Sequence, residues 1–317
     1  MKIRFIFLLL PAFIVMQGCV KILNDDLTAK ETKLVINSAI DPDSVFEINL
    51  SRTFNIFDDE STNNLPFIDG ADVKLYENGN FLFNLDNTGT GYYRKDDFFP
   101  VVGKTYEIIA EKEGFKSVSA STTVPEKVEI IQFDTVSVTN PGDYGSVELD
   151  GLITFQDPEE SDDYYMLSAQ ILYPNANYYD SGWYNLGLFV PDGMEKLYEN
   201  SYGNLLWSDR YLNGKEVTLQ FGFFYRDQYA GGGYPYPVEQ DSVHFRFCLQ
   251  HVSREYFFYS VSFFKYHEAG GASDPFSEPV VIYSNVKNGY GVFGSYSQDT
   301  VNFKIVANSY GMKGGEK

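Results

Sequence analysis

Apolar and polar side chains alternate along the first part of the chain with the period of two expected for β-strands. Phe46, Ile48 and Leu50 alternate with polar neighbours, so one face of this segment is predicted to be buried. Similar segments lie at 71–75, 106–110 and 118–124, separated by turns rich in Gly, Asn and Asp. About seven short strands at this spacing predict an immunoglobulin-like or transthyretin-like sandwich over residues 32–125.

A second set of alternating segments follows Val124 and Pro125, where proline ends the last strand of the first domain because it cannot donate to a ladder. Residues 126–317 are predicted to form a larger β-sandwich domain, which makes the whole fold all-β. Strands are predicted at 128–138, 146–155, 164–172, 216–225, 243–250, 279–284 and 300–306.

One segment of the second domain has the helical period instead. Ser253 is typical of an N-cap, and residues 254–267 carry aromatic side chains at helical spacing. We predict one helix near 253–267 whose aromatic face lies against the sheet, because such a stripe is usually part of a core. The residues of the stripe are Tyr256, Tyr259, Phe263 and Tyr266.

The N-terminus has the pattern of a lipoprotein signal. Lys2 and Arg4 precede an apolar run over 5–15, and Gly18 then stands directly before Cys19. We predict a signal peptide over 1–18, acylation of Cys19, and a polar lipid tether over 19–31. The alternative is an ordinary secretory signal with Cys19 free or paired with Cys248, although Met16 fits that kind of cleavage poorly.

Charge narrows the choice of partners. The chain carries a net charge of −20, and removing residues 1–18 leaves 22 basic against 44 acidic residues, or −22. A field of this sign repels nucleic acid and anionic lipid, so membrane attachment is predicted to come from acyl chains on Cys19. Aromatic residues make up 17% of the chain, which is typical of β-sheet surfaces.

Clustered carboxylates in the acidic turn 157–163 raise the question of a metal ion. Asp157, Glu159 and Asp162 offer the hard oxygen ligands that Ca²⁺ selects, but their spacing is not that of an EF-hand. A solvated, charged loop is the alternative that we favour, and no metal or other cofactor is predicted. A carboxylate pair for glycoside cleavage would require a defined gap of about 5–9 Å, which adjacent residues of one turn rarely provide.

The histidines and the second cysteine do not form a convincing site. His244 and Cys248 would lie about 13 Å apart on one strand, and His251 would face the opposite side. We expect His244, His251 and His267 to be structural, and we expect Cys248 to be an inert thiol within a strand.

Tyrosines and glycines concentrate in the segment 222–237, a composition typical of binding loops. Together with aromatic residues near 183 this segment could form a surface for a protein or peptide partner or for a sugar ring. The alternative is a long hairpin tip that packs on its own domain. The candidate surface comprises Trp183, Tyr184, Tyr225, Tyr229, Tyr234 and Tyr236.

The C-terminal stretch 277–294 resembles the domain-of-unknown-function 4249 family of Bacteroidota cell-envelope lipoproteins. Segments 46–53, 91–93, 103–106 and 207–214 agree with the family in order. The resemblance implies an accessory lipoprotein of a TonB-dependent outer-membrane transporter, without catalytic residues. Physical reasoning adds that Asn288, Gly289, Gly291 and Gly294 serve turns and close backbone approach.

These observations predict a non-catalytic binding or accessory module, anchored to the outer membrane and active in nutrient uptake. Two alternatives remain, a glycan-acting hydrolase and a purely structural envelope protein. The resemblance also implies that export to the external face depends on acidic residues close behind the lipidated cysteine. Here Val20 to Asn24 separate Cys19 from Asp25 and Asp26, so the periplasmic or external face stays undecided.

Overall fold

The computed structural model describes residues 31–54, 66–139, 146–159, 162–173, 182–190, 199–201, 203–226, 242–270 and 280–306. Within these ranges the protein is an all-β fold with one α-helix, which confirms the predicted fold class. The strands of the first part are β1 (Leu34–Ile40), β2 (Phe46–Arg52), β3 (Asp72–Glu77), β4 (Asn80–Asn84), β5 (Asp86–Gly89), β6 (Tyr92–Lys95), β7 (Thr105–Glu111) and β8 (Val118–Thr123).

The second part adds longer strands, a short 3₁₀ turn at Asp209–Tyr211 and the helix α1 at Arg254–Glu268. Its strands are β9 (Ile130–Thr139), β10 (Ser146–Gln156), β11 (Tyr164–Tyr173), β12 (Gly182–Leu186), β13 (Leu188–Phe189), β14 (Glu199–Ser201), β15 (Asn204–Ser208), β16 (Glu216–Arg226), β17 (Ser242–Val252) and β18 (Tyr290–Val306).

The first hydrophobic core lies between two sheets. One sheet has the order β4-β3-β7-β8, and the other side is formed by β1, β2, β6 and β5. The alternation predicted for β2 is confirmed, because Phe46, Ile48 and Leu50 are at most 1% exposed. Phe46 packs against Tyr106 and Phe293, with ring centroids 5.8 and 6.0 Å apart.

Strand β18 belongs to both halves of the molecule. Its residues 290–295 pair in parallel with β1, and its residues 296–306 pair antiparallel with β17. One continuous sheet therefore has the order β14-β15-β11-β17-β18-β1-β2-β6-β5. The predicted domain boundary at residue 125 stays a prediction, but Val286 and Phe293 from the C-terminal segment pack in the first core.

The second core lies between the sheet β13-β16-β10-β9 and the strands β11, β17 and β18. Phe221, Phe223, Phe245 and Phe247 alternate along β16 and β17 and are fully buried. Phe247 stacks on Phe133 at a centroid distance of 4.9 Å, which brings β9 and β17 together. The predicted strands at 128–138, 146–155, 164–172, 216–225 and 243–250 are confirmed within two residues. The strand predicted at 300–306 is the C-terminal part of β18, which already begins at Tyr290.

The strand predicted at 279–284 is wrong, since residues 280–284 form no strand. The β-branched and aromatic side chains of this segment favoured a strand. Its backbone instead forms a hydrogen bond with the helix. The backbone N–H of Tyr283 donates to Ser262 Oγ at 2.8 Å, and the Tyr283 ring packs 5.9 Å from Phe258. Val281, which the alternation would have placed on one face, is 86% exposed.

The predicted helix is confirmed with its N-cap, because Ser253 Oγ accepts a hydrogen bond from the N–H of Tyr256 at 3.4 Å. The predicted face needs correction. Phe257 and Ser260 are the buried positions of α1, and Phe257 packs in a small third core with Met166, Leu206 and Val252. Within the predicted stripe, Tyr256 stacks on Tyr296, whereas Tyr259 stacks on Phe263 along the helix itself.

Candidate functional site

The acidic turn between β10 and β11 places its carboxylates in two different environments. Asp157 directly follows β10 and Asp163 directly precedes β11, and they are only 1% and 4% exposed. Glu159 and Asp162 are exposed on the same turn. The structure therefore separates the three residues weighed as calcium ligands, since Asp157 lies inside the protein while the other two face solvent.

A third carboxylate reaches this site from the 3₁₀ turn that follows β15. Asp209 is 4% exposed, and its N–H donates to the carbonyl oxygen of Asp163 at 2.9 Å. Its own carbonyl accepts from the N–H groups of Leu212 and Asn213, which fixes the turn. One carboxylate oxygen from each of Asp157, Asp163 and Asp209 lies within 4.8 Å of the other two. We call these three residues the carboxylate cluster.

Neutral donors hold the first carboxylate of the cluster. The hydroxyl of Tyr165 donates to Asp157 Oδ1 at 2.6 Å, and the N–H of Gly214 donates to Asp157 Oδ2 at 2.8 Å. Burial and this carboxylate both raise the pKa of Tyr165, so its phenol stays a protonated donor. The ring of Tyr165 is stacked between Trp207 and His251, at centroid distances of 5.5 and 5.2 Å.

An imidazole approaches the second carboxylate. Nε2 of His251 lies 3.0 Å from Asp163 Oδ1, and its Nδ1 lies 2.7 Å from the carbonyl oxygen of Glu126. Both neighbours are oxygen acceptors, so the two contacts are satisfied together by the imidazolium form or by a proton on Asp163. His251 is structural, as the sequence predicted, in the sense that it is buried and bridges two segments.

Asp209 is the least satisfied member of the cluster. Among the described residues, its buried Oδ2 atom accepts no hydrogen bond. Burial raises the pKa of this carboxyl above its ordinary value; a main-chain hydrogen bond from Asp163 acts in the opposite direction, and the carboxylates of Asp157, Asp163 and Asp162 add to the rise. Two carboxylates whose oxygens lie within 4.8 Å of each other repel by about 3 kcal/mol or more at an effective dielectric constant of about 20.

The cluster can therefore retain a proton or be neutralised by a cation. Its ligand atoms are all oxygens, which suit hard cations such as Ca²⁺ better than zinc or copper. Its burial also limits its chemistry, because a substrate in solution does not reach side chains that are at most 4% exposed.

The aromatic candidates lie only partly within the described residues. Trp183 and Tyr184 are half-buried on β12, and the guanidinium of Arg246 lies 4.1 Å from the centroid of Trp183. Arg246 Nε donates to Asn302 Oδ1 at 3.5 Å, and Tyr184 packs against the second core. The structure describes the backbone of Tyr225 in β16 but not its side chain. Cys19, Tyr229, Tyr234 and Tyr236 lie outside the described residues.

Cys248 is 7% exposed, and burial raises the pKa of its thiol. Thr300 Oγ1 donates to its sulfur at 3.6 Å. A protonated, buried thiol is a poor nucleophile, which agrees with the inert cysteine that the sequence predicted.

Sequence reasoning found Asp157 but did not bring it together with Asp163, Asp209, Tyr165 and His251. The signal for Tyr165 was present, since it alternates along β11 with the other residues of the buried face. Asp209 lies in the stretch 207–214, which agrees with the family pattern but was given no chemical role in the sequence analysis. The approach of that stretch to the acidic turn is a tertiary contact that no local pattern encodes.

Among the described residues, no helix is long and apolar enough to cross a membrane. A family model described as "Domain of unknown function (DUF4249)" matches residues 20–302. No curated protein matches the chain.

Two domains of solved structures show a remote similarity to the chain. The first, "Biofilm associated protein - BSP domain", is 8% identical with a TM-score of 0.19, over 86% of this chain and 59% of that one. The second, "Biofilm associated protein - B domain", is also 8% identical with a TM-score of 0.19, over 87% of this chain and 86% of that one. At these TM-scores neither similarity supports an inference about this protein.

Proposed function

The chain belongs to the DUF4249 family, as its C-terminal motif suggested, and from that premise we propose that it is a lipid-anchored, non-catalytic accessory protein of the outer membrane. In this proposal the acyl chains on Cys19 hold the protein at the membrane. The folded β-sandwiches bind a glycan or peptide ligand and present it to a TonB-dependent transporter during nutrient uptake.

The observation that carries the proposal is the place of β1 in the sheet. β1 is the first described strand after Cys19 in the sequence, and it pairs with β2 on one side and with β18 on the other. β1 is thus an interior strand of the continuous sheet rather than a frayed end. A lipid at Cys19 would hold this sheet close to the membrane, as an accessory protein requires.

The burial of the carboxylate cluster supports a role without turnover. Glycosidases use two carboxylates that flank a groove open to the sugar. Asp157, Asp163 and Asp209 are instead closed within the protein, and Asp157 accepts hydrogen bonds from Tyr165 and Gly214. Their arrangement suits a structural or ion-binding site better than a hydrolytic one.

A pair of cysteine variants tests the anchor. We expect Cys19→Ser to abolish incorporation of a labelled fatty acid and to release the protein from the membrane fraction. Cys248→Ser is the matched control, because its buried thiol contributes no acylation site. Retention of label and of membrane attachment in Cys19→Ser would refute the lipoprotein proposal.

Isolation of the tagged, lipidated protein from gently solubilised membranes tests the accessory role. We expect a TonB-dependent transporter to accompany the wild-type protein in a fixed ratio. A protein that is isolated alone, or that hydrolyses an envelope or dietary glycan at a defined rate, would contradict the proposal.

A further inference from the structure

We propose that the carboxylate cluster of Asp157, Asp163 and Asp209 binds one Ca²⁺ ion. This inference goes beyond the proposed function and does not depend on it. It starts from charge, because three carboxylates that are at most 4% exposed converge within 4.8 Å. His251 supplies at most one positive charge to the three, and buried carboxylates otherwise require a counter-ion or a metal.

A second observation points to a ligand at the same place. Asp209 is 96% buried, and among the described residues its Oδ2 atom accepts no hydrogen bond. Buried carboxylate oxygens are normally satisfied, so an unfilled one beside two other carboxylates marks a missing partner. A cation between the three carboxylates would supply it.

The donor set favours Ca²⁺ over Mg²⁺. Mg²⁺ usually keeps several of its waters and is bound through one or two carboxylates, whereas Ca²⁺ takes six to eight oxygen ligands in a flexible geometry. Three buried carboxylates whose oxygens lie within 4.8 Å of one another match the second description better than the first. Carboxylates can also bind Ca²⁺ through both oxygens, so three of them can supply most of its six to eight ligands.

The surrounding hydrogen bonds orient the carboxylates as in known metal sites. Tyr165 and Gly214 each donate one hydrogen bond to an oxygen of Asp157, and a carboxylate oxygen that accepts one such bond has a second lone pair that can bind an ion. The bound ion would join the end of β10, the start of β11 and the 3₁₀ turn after β15. Ca²⁺ would therefore act as a cross-link within the second sandwich.

The test uses the mature lipidated protein in detergent, stripped of metal with EDTA and dialysed. Calorimetric titration and thermal unfolding are measured with Ca²⁺, and with Mg²⁺ at equal ionic strength. We expect saturable binding of one Ca²⁺ per chain, a rise in the unfolding temperature, and a much smaller response to Mg²⁺. Absence of any Ca²⁺ response in the wild-type protein would overturn the proposal, and an equal response to Mg²⁺ would overturn the choice of ion.

Variants locate the site. Asp209→Asn should lower Ca²⁺ affinity at least tenfold, whereas Asp162→Asn, an exposed carboxylate of the same turn, should bind as the wild type does. The alternative is that protons, and not an ion, neutralise the carboxylates. In that case Asp209→Asn would be more stable than the wild type without metal, and the wild type would show no response to Ca²⁺. Equal loss of affinity in both variants would place the ion elsewhere.

Terbium luminescence provides a readout that does not depend on the folding of Asp209→Asn. Tb³⁺ replaces Ca²⁺ and is excited through nearby aromatic rings, and Tyr165 donates directly to Asp157. We expect the wild-type signal to be displaced by Ca²⁺. Tyr165→Phe should reduce the signal and weaken Ca²⁺ binding by about 10- to 100-fold, because metal sites lose this much affinity when a hydrogen bond to a metal-binding side chain is removed. A signal that Ca²⁺ does not displace would count against the site.

Discussion

At the scale of single residues, Gly291 sets how closely β18 approaches β1. Its φ of 97° is costly for other residues, and a Cβ at this position would lie 2.1 Å from the carbonyl oxygen of Ile36. We expect Gly291→Ala to lower the free energy of unfolding by at least about 3 kcal/mol, because strain and a backbone clash combine.

Gly79→Ala separates the effect of backbone strain from the effect of the clash with a neighbouring strand. Gly79 also has a positive φ, 80°, but a Cβ there would meet nothing within 4 Å. This control should lose only about 1 kcal/mol in urea unfolding, through strain alone. Similar losses in the two variants would contradict the role assigned to the contact with β1.

Asp69 provides a test of pH dependence. Its Oδ1 accepts from the N–H of Gly91 at 2.8 Å and from Asn87 Nδ2 at 3.1 Å, and these bonds lower the pKa of its carboxyl. A lowered folded-state pKa adds stability above the unfolded value of about 3.9 and loses it as the pH falls through the folded value. Asp69→Asn should therefore be less stable than wild type at neutral pH, and the difference should vanish in acid.

Urea unfolding at several pH values measures this difference. Glu113→Gln, which removes a carboxylate from another exposed turn, is the control and should leave the free energy of unfolding nearly unchanged at neutral pH. If the difference in unfolding free energy between Asp69→Asn and the wild type stayed constant from neutral to acidic pH, the predicted contribution of the ionised Asp69 carboxylate would be wrong.

Residue patterns predicted buried apolar positions better than buried charges. Phe46, Ile48 and Leu50 follow from alternation alone, because a sheet with one buried face repeats every two residues. The burial of Asp157 does not follow from its neighbours, since the turn around it is acidic and polar. It depends on Tyr165 and on the distant Asp209, which the chain brings together only after folding.

At the scale of elements, Ser253 links the helix to the long C-terminal strand. Its Oγ accepts from Tyr256 N within α1 and from Ser295 N in β18, at 3.4 and 3.1 Å. We expect Ser253→Ala to cost about 1–2 kcal/mol in urea unfolding, because both donors lose their acceptor.

Ser260→Ala is the matched control on the same helix. Ser260 is also buried, but it lies in the helix interior, where alanine is the better helix former. We expect this variant to be nearly neutral. A Ser253→Ala protein no less stable than Ser260→Ala would mean that the cap adds little.

The helix also shows the limit of pattern reading for elements. Its bounds were predictable, since a capping serine and a helical period coincide. Its buried face was not, because aromatic side chains surround the helix and spacing alone does not select Phe257 over Tyr259. The strand prediction for 280–284 was wrong for a related reason, because the N–H of Tyr283 bonds to Ser262 of the helix and not to a neighbouring strand.

At the scale of the whole molecule, the shared strand β18 predicts that the two sandwiches unfold together. Phe293 lies in the first core, and both tryptophans of the chain, Trp183 and Trp207, lie in the second half. We expect Phe293→Ala to cost about 3–5 kcal/mol and to shift the tryptophan fluorescence transition as far as the circular dichroism transition.

Phe247→Ala in the second core is the counterpart and should shift the same single transition. If Phe293→Ala left the fluorescence midpoint unchanged while a separate dichroism transition moved, the two cores would be independent. The sequence predicted two sandwiches of β-strands, but not their joining, because pairing between β1 and β18 spans almost the whole chain.

The pairing of β1 with β18 has a consequence for biogenesis. In the proposed lipoprotein, export would begin at the N-terminus, so β1 would emerge long before residues 290–295. Until then, one edge of β1 lacks its parallel neighbour and the first core lacks Phe293. During the proposed export, β1 would therefore present an unpaired strand edge that can bind wrong partners until the C-terminus arrives.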